Sequence, residues 1–172
     1  MSHSKTPAAV ALSLLALLIF CAAAAQGADI GGTITATLVI SNDSKLVDDV
    51  TCAVTGMPCL DFAASNVTLD LNGFTVTGQA DSKTGCSGTS APGAEHGIRI
   101  LQQTGVTIRG PGVVQLHRGH GIIINGSTGT RIREVTTSRN CASGILVGGA
   151  SNILENNISI ANGNVVSPCG GI

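Results

Sequence analysis

Short runs of alternating apolar and polar residues recur along most of the chain. At residues 66–78 the sequence reads NVTLDLNGFTVTG, in which two alternating runs flank an Asn72-Gly73 step. A period of two is typical of β-strands, and Asn-Gly between two such runs is the usual signature of a β-hairpin. Whether the step closes a hairpin depends on which strands pair, and the rest of the sequence bears on that.

Two phrases recur together at intervals of about 23 to 27 residues. A repeat this short cannot bury its own apolar face, so stacking on neighbouring repeats must remove that face from water. Leucine-rich repeats share this period, but the Leu framework with its Asn or Cys position is absent, which favours a parallel β-helix. The first phrase reads HGIRI at 96, HGIII at 120, SGILV at 143 and GGI at 170, and the second reads GVTIRG at 105, GTRIRE at 129 and SNILEN at 151.

The order of these phrases resembles the right-handed parallel β-helix repeat of the pectate-lyase-like superfamily. VTLDLNGFTVTG, GHGIIINGS and SGILVGGASNILENNISIANG carry the resemblance, which covers residues 60–172. It implies an all-β fold, a right-handed parallel β-helix of about four to five coils in one domain. Lyases, hydrolases, adhesins and periplasmic copper-processing proteins all use such coils, so the resemblance leaves the activity open.

Stacked coils place equivalent residues of successive repeats about 4.8 Å apart. We therefore expect NVTLDL to pair with GVTIRG one coil later, so that the Asn72-Gly73 step turns a corner instead of closing a hairpin. The same stacking predicts two interior columns, one of Leu69, Ile108, Ile132 and Leu154 and another of Leu60, Ile98, Ile122, Ile145 and Ile172.

The N-terminus has the form of a secretory signal peptide: a polar start, an apolar run at 8–25, and small residues where signal peptidase cleaves. A membrane anchor is the alternative for this run. We expect a signal peptide at 1–27, an N-terminal cap and first partial coil at 28–59, and β-helix repeats at 60–172 that either end naturally, continue in further coils or self-associate. These segments predict a secreted or periplasmic protein with no membrane span after cleavage.

The composition argues against two classes of binding partner and indicates disulfides. The formal net charge is −1, which predicts no nucleic-acid partner because such binding needs a concentrated basic surface. Trp and Tyr are absent, which argues against a lectin that stacks neutral sugars on aromatic rings. Five cysteines follow the signal peptide; Cys52 and Cys59 are the expected local pair, Cys141 and Cys169 are further disulfide candidates, and the pairing of the rest stays open.

One outward column combines charges of both signs, namely Asp70, Arg109, Arg133 and Glu155. In a structural interpretation, the column is a surface ladder of ion pairs in which each carboxylate pairs with the neighbouring guanidinium. As a ligand-binding site, its arginines are clamps for the carboxylates of an acidic glycan.

A second outward column begins with Asp61 and Arg99 and becomes apolar at Ile123 and Leu146. In pectate-lyase-like enzymes an arginine on a strand face abstracts a proton while aspartates hold calcium. The resemblance therefore makes Arg99 and Asp61 the catalytic candidates, with Ca²⁺ as cofactor only if the protein is a lyase. No acidic cluster accompanies them in the sequence.

Histidines form the remaining candidate site. His96 and His120 hold equivalent positions in consecutive coils, and His117 lies one corner earlier. Stacked imidazoles are candidate ligands for a transition metal, whereas a corner histidine that hydrogen-bonds the backbone is purely structural.

Taken together, the sequence favours a secreted, non-catalytic β-helix protein that binds an acidic polysaccharide or another surface partner and needs no cofactor. A pectate-lyase-like lyase or hydrolase is the first alternative. A periplasmic metal-handling protein that uses the stacked histidines is the second.

Overall fold

The structure, a computed structural model, describes residues 27–80, 86 and 94–163. The predicted signal peptide, except its last residue, lies outside these residues, as do Cys169 and Ile172. In the described part the chain forms β1 (Ala28–Ile34), β2 (Leu38–Ile40), β3 (Ser44–Cys52), β4 (Leu60–Phe62), β5 (Thr68–Asp70), β6 (Thr75–Thr77), β7 (Ile98–Leu101), β8 (Thr107–Gln115), β9 (Ile122–Thr128), β10 (Arg131–Ser138), β11 (Ile145–Ala150), β12 (Ile153–Glu155) and β13 (Ile158–Ile160).

These strands stack into two parallel sheets, as a parallel β-helix requires. One sheet has the order β1-β3-β5-β8-β10-β12, with β6 beside β3 and β8 and with β13 beside β10, and the other has the order β11-β9-β7-β4-β2. Every recorded pairing is parallel and joins equivalent strands of successive coils. The expected β-helix is confirmed. Residues 28–59 contribute β1, β2 and β3, which pair in parallel with the strands that follow.

The Asn72-Gly73 step forms a tight turn without a hairpin. Both residues have positive φ, 49° and 87°, and the Phe74 N–H donates to the Leu71 carbonyl at 2.8 Å. Apart from this one bond across the turn, β5 and β6 pair with β3 and β8 instead of with each other. The predicted pairing of NVTLDL with GVTIRG is therefore confirmed.

The interior is a set of apolar columns that run along the solenoid. Parallel register aligns Leu69, Ile108, Ile132 and Leu154 in one column and Leu60, Ile98, Ile122 and Ile145 in another. Apart from the partly buried Leu154, these side chains are almost completely buried. Both predicted columns are confirmed within the described residues.

Two disulfides join parts of the chain. Cys52 pairs with Cys59, as expected, whereas Cys141 pairs with Cys86, a cysteine whose partner the sequence left open. The second pair links residues 55 apart in sequence, a pairing that depends on how the coils stack and not on local spacing. Within the described ranges there is no helix long and apolar enough to cross a membrane.

Candidate functional site

Two of the histidines, His96 and His120, stack on each other at the corner that precedes β7, β9 and β11. The rings of His96 and His120 are stacked with centroids 5.2 Å apart and planes 24° from parallel. The His120 N–H donates to His96 Nδ1, and the Ser143 N–H donates to His120 Nδ1, each at 3.1 Å. Because Nδ1 accepts in both rings, the hydrogen-bond pattern assigns the proton of each neutral ring to Nε2.

His117 is buried and belongs to a different column, which asparagines continue. Its N–H donates to Asn140 Oδ1, and the Asn140 N–H donates to Asn162 Oδ1, each at 3.0 Å. His117 Nε2 lies 3.4 Å from the Val76 carbonyl oxygen, so a proton on Nε2 serves this contact. Burial lowers the pKa of His117 to about 4 and also lowers the pKa of His120. Both rings are therefore neutral at pH 7.

A cysteine loop with the sequence CAVTGMPC lies beside this corner, between β3 and β4. The Gly56 N–H donates to Glu95 Oε1 at 2.8 Å, and Arg118 Nη1 lies 3.3 Å from Glu95 Oε2. The Glu95 side chain is only 6% exposed, so a buried carboxylate holds the loop in place. A cavity of about 10 Å³, roughly the room that one water needs, is lined by residues of the loop, among them its three sulfur-containing side chains, and by residues of the corner: Cys52, Val54, Met57, Cys59, Gly78, Gln79, Glu95, His96, His117 and Arg118.

Met57, Glu95 and Arg118 were missed by reasoning from the sequence. Met57 stands between two cysteines that were considered only as a disulfide, and that spacing of three sulfur atoms was the available signal. Glu95 and Arg118 carry no local signal, because the stacking of distant coils brings them to the loop.

The outward charge column is longer than the sequence predicted. Its parallel register runs through Asp29, Lys45, Asp70, Arg109, Arg133 and Glu155. Arg109 Nη2 lies 2.8 Å from Asp70 Oδ2, as expected. Glu155 instead pairs with Arg131, at 2.8 Å, which corrects the expected Arg133 pair.

Arg133 has no ion pair with the residues that the structure describes. At the other end of the column lies a groove of about 590 Å³, lined by Gly27, Asp29, Asp43, Ser44, Lys45, Thr68, Asp70 and Arg109. The column therefore combines a mixed-charge groove with the guanidinium of Arg133, which no described carboxylate neutralises.

Asp61 and Arg99 form a two-pronged ion pair on the second outward column. Arg99 Nε lies 2.9 Å from Asp61 Oδ1, and Arg99 Nη2 lies 2.7 Å from Asp61 Oδ2. The hydrogen bond to Asp61 raises the pKa of Arg99, which opposes the loss of a proton that a catalytic base must undergo.

The two sheets of stacked parallel strands define the class of protein: a parallel β-helix repeat protein. A sequence model of the NosD family, described as "Periplasmic copper-binding protein (NosD)", matches residues 53–170. The chain belongs to the NosD family, because this match spans more than half of its length. No curated protein and no solved structure matches the chain. The family's location agrees with the predicted secreted or periplasmic destination.

The family match corrects the expectation of no cofactor. Calcium was expected only for a lyase, whereas the matching family is described as copper-binding. Copper, and not calcium, is therefore the metal to test against the residues present.

In its oxidised form the described chain does not fit a copper ion. No group of three or more His, Cys, Asp or Glu side chains within residues 27–80, 86 and 94–163 is placed to hold a metal. The ring nitrogens His96 Nδ1 and His120 Nδ1 already accept backbone N–H groups, which leaves the protonated Nε2 atoms without the lone pair that a metal needs. The four described cysteines are all in disulfides, so they provide no thiolate.

Proposed function

We propose that this chain handles copper in the periplasm, with its β-helix as a rigid scaffold for the contact. The match to the NosD family over residues 53–170 carries the proposal. That range includes most of the cysteine loop and the whole stacked-histidine corner, where sulfur and imidazole groups gather at one cavity. The thioether sulfur of Met57 is a soft donor of the kind that selects Cu(I), whereas Nδ1 of His96 and of His120 already accepts a backbone N–H.

Titration with copper under controlled redox conditions tests this function. The full chain, secreted into the periplasm and purified, is titrated anaerobically with Cu(I) against bicinchoninate, both as isolated and after reduction with a dithiol. Binding of copper in at least one state, with Zn²⁺ and Ca²⁺ as comparison ions, supports the function. Failure to compete for Cu(I) in both states contradicts it.

Binding of an acidic glycan is a second candidate, supported by Arg133, which pairs with no carboxylate among the described residues and lies beside the Asp70–Arg109 pair. Arginine binds carboxylates in a planar, two-bonded geometry, and the groove of about 590 Å³ that Asp70 and Arg109 line is of the size that ligand sites commonly have. Polysaccharide-lyase chemistry receives less support, because Asp61 already engages the Arg99 guanidinium.

Arg133→Gln and Arg131→Gln form a matched pair for testing glycan binding. Arg131 is already neutralised by Glu155, so only Arg133→Gln is expected to weaken binding of polygalacturonate or alginate by calorimetry. Equal affinities for both variants and the unmodified chain would exclude the charge column as a glycan site. Absorbance of unsaturated ends in the same samples would reveal lyase activity.

A further inference from the structure

We propose that Asn125 is the site of a spontaneous covalent modification, in which the backbone nitrogen of Gly126 attacks the side-chain amide and ammonia is lost. Deamidation of this kind passes through a five-membered succinimide ring and yields aspartate and isoaspartate. Asn125 lies in β9, outside the residues that line the small cavity and the mixed-charge groove. The inference therefore goes beyond the proposed function.

The sequence offers three places for this reaction. The residue after an asparagine supplies the attacking nitrogen, and glycine there has no side chain to hinder the approach. Asn-Gly occurs at Asn72, Asn125 and Asn162. The surroundings of the three asparagines in the structure therefore decide which of them reacts.

At Asn72 both reacting groups are engaged in hydrogen bonds. Asn72 Nδ2 donates to the Leu46 carbonyl at 3.0 Å, and the Gly73 N–H donates to the Pro111 carbonyl at 2.7 Å. Attack at this site must break both bonds, and each bond lost before the transition state raises the barrier. The structure therefore protects Asn72.

At Asn162 the same two groups are engaged. Asn162 Nδ2 donates to the Thr137 carbonyl and to Ser159 Oγ, each at 3.0 Å. The Gly163 N–H donates to the Ala142 carbonyl at 2.8 Å. The corner ladder therefore holds this amide away from the attacking nitrogen.

The Asn125 side chain differs from the other two because it is exposed and has no hydrogen bond to any residue that the structure describes. Only its backbone carbonyl is engaged, by the Gln102 N–H at 2.9 Å and by Ser127 Oγ at 3.3 Å. The amide can therefore turn toward the Gly126 nitrogen without losing a contact to the described chain.

The backbone at this position departs from a regular strand. Asn125 and Gly126 of β9 together face the single Gly148 of β11, because the register shifts there. A bulge of this kind leaves the extra residue outside the regular ladder. Gly126 has a φ of 62°, and the nearest atom to the position of a Cβ on it is Gln102 Cγ at 3.5 Å. The bulge therefore provides room for the ring to form.

The reaction balances with water as the one co-reactant. The Gly126 nitrogen gives its proton to solvent base and bonds to Asn125 Cγ, and the bond from Cγ to Nδ2 breaks as ammonia leaves with a proton. Addition of water at Cγ opens the ring to aspartate, whereas addition at the backbone carbonyl opens it to isoaspartate. Either product replaces a neutral amide by a carboxylate and adds one negative charge.

Peptide mapping of the aged full chain tests the proposal. The folded, oxidised protein is incubated at mildly alkaline pH, and trypsin then releases residues 119–131, in which Asn125 is the single asparagine. Digestion in water labelled with heavy oxygen marks any deamidation that occurs during the digest, and electron-transfer fragmentation distinguishes aspartate from isoaspartate. We expect Asn125 to react at least roughly tenfold faster than Asn72 or Asn162, because their hydrogen bonds must break first.

The unfolded chain and one variant are the controls. In the reduced chain unfolded in guanidinium, the three Asn-Gly sequences are expected to react at similar rates, because no folded structure protects two of them. Asn125→Gln is expected to abolish the more acidic species that anion exchange separates from the aged protein, because attack on the longer side chain needs a less favoured six-membered ring.

Two outcomes refute the proposal. One is that Asn72 or Asn162 deamidates as fast as Asn125 in the folded chain. The other is that Asn125 in the folded chain stays intact for as long as the three sequences of the unfolded chain take to react.

Discussion

At the scale of single residues, His117 shows a titratable ring used as a backbone partner. It takes the place that Asn140 and Asn162 take in the next two coils, and its Nε2 faces the Val76 carbonyl as the Asn140 amide faces the Val114 carbonyl. Asparagine is the usual side chain for this task because its amide carries both a donor and an acceptor. Neutral imidazole has the same pair of functions, but only while it stays unprotonated.

His117 is expected to make stability depend on pH in a defined window. Burial lowers its pKa from 6.5 to about 4, so between these values the unfolded chain binds a proton that the folded chain does not. Stability present above about pH 6.5 is lost as the pH falls toward about 4, by an amount on the order of 3 kcal/mol.

The substitution His117→Asn isolates this effect, because it replaces the ring with the side chain of the next two coils. Urea unfolding of both proteins at about pH 7 and pH 4.5 gives the difference, and the contributions of the carboxylates cancel in it. We expect the variant to lose less stability on acidification. An identical pH dependence for the two proteins would show that protonation of His117 is not the cause.

At the scale of elements, the corners between strands are held by asparagine ladders. Oδ1 of each of four asparagines accepts a backbone N–H from the preceding coil, and its Nδ2 donates to a carbonyl of that coil. An unpaired buried N–H is costly, so these side-chain hydrogen bonds stabilise the corners. The asparagines concerned are Asn140, Asn152, Asn157 and Asn162.

Asn140→Ala is expected to destabilise the chain by about 2–4 kcal/mol. The side chain is completely buried, and its loss leaves the His117 N–H without the acceptor Asn140 Oδ1 and removes the hydrogen bond from Nδ2 to the Val114 carbonyl. Asn125→Ala, at an exposed position in β9, is the control and should change stability by less than about 0.5 kcal/mol. Equal unfolding midpoints for the two variants would show that the ladder is not stabilising.

At the scale of the whole molecule, the two disulfides constrain the chain to very different extents. Cys52–Cys59 closes a local loop with a sequence separation of 7, whereas Cys86–Cys141 joins residues 55 apart in sequence. A longer closed loop removes more conformational entropy from the unfolded chain.

Removing the long-range disulfide is therefore expected to cost more stability. The chain-entropy relation gives about 4 kcal/mol for C86S/C141S and about 2.5 kcal/mol for C52S/C59S. Guanidinium unfolding of both double variants measures the difference. If C52S/C59S proved the less stable of the two, the cysteine loop would have a larger structural role than its length implies.

The sequence alone was sufficient to predict the β-helix, its interior columns and the corner at Asn72-Gly73. These follow from periodicity: equivalent residues must stack, because no single repeat buries its apolar face. The Cys52–Cys59 bond follows from the short spacing of the two cysteines in the sequence. The Asp70–Arg109 contact follows from the register of the stacked coils.

Only the tertiary structure decided which side chains meet at corners and across the long excursion between β6 and β7. The structure shows a disulfide between Cys141 and Cys86, an ion pair between Glu155 and Arg131, and a hydrogen bond from the Gly56 N–H to Glu95. Side-chain direction and the path of irregular segments carry no periodic signal, so residues far apart in sequence become neighbours only once the coils are stacked. The imidazole tautomers that argue against a histidine copper site depend on the same corner geometry.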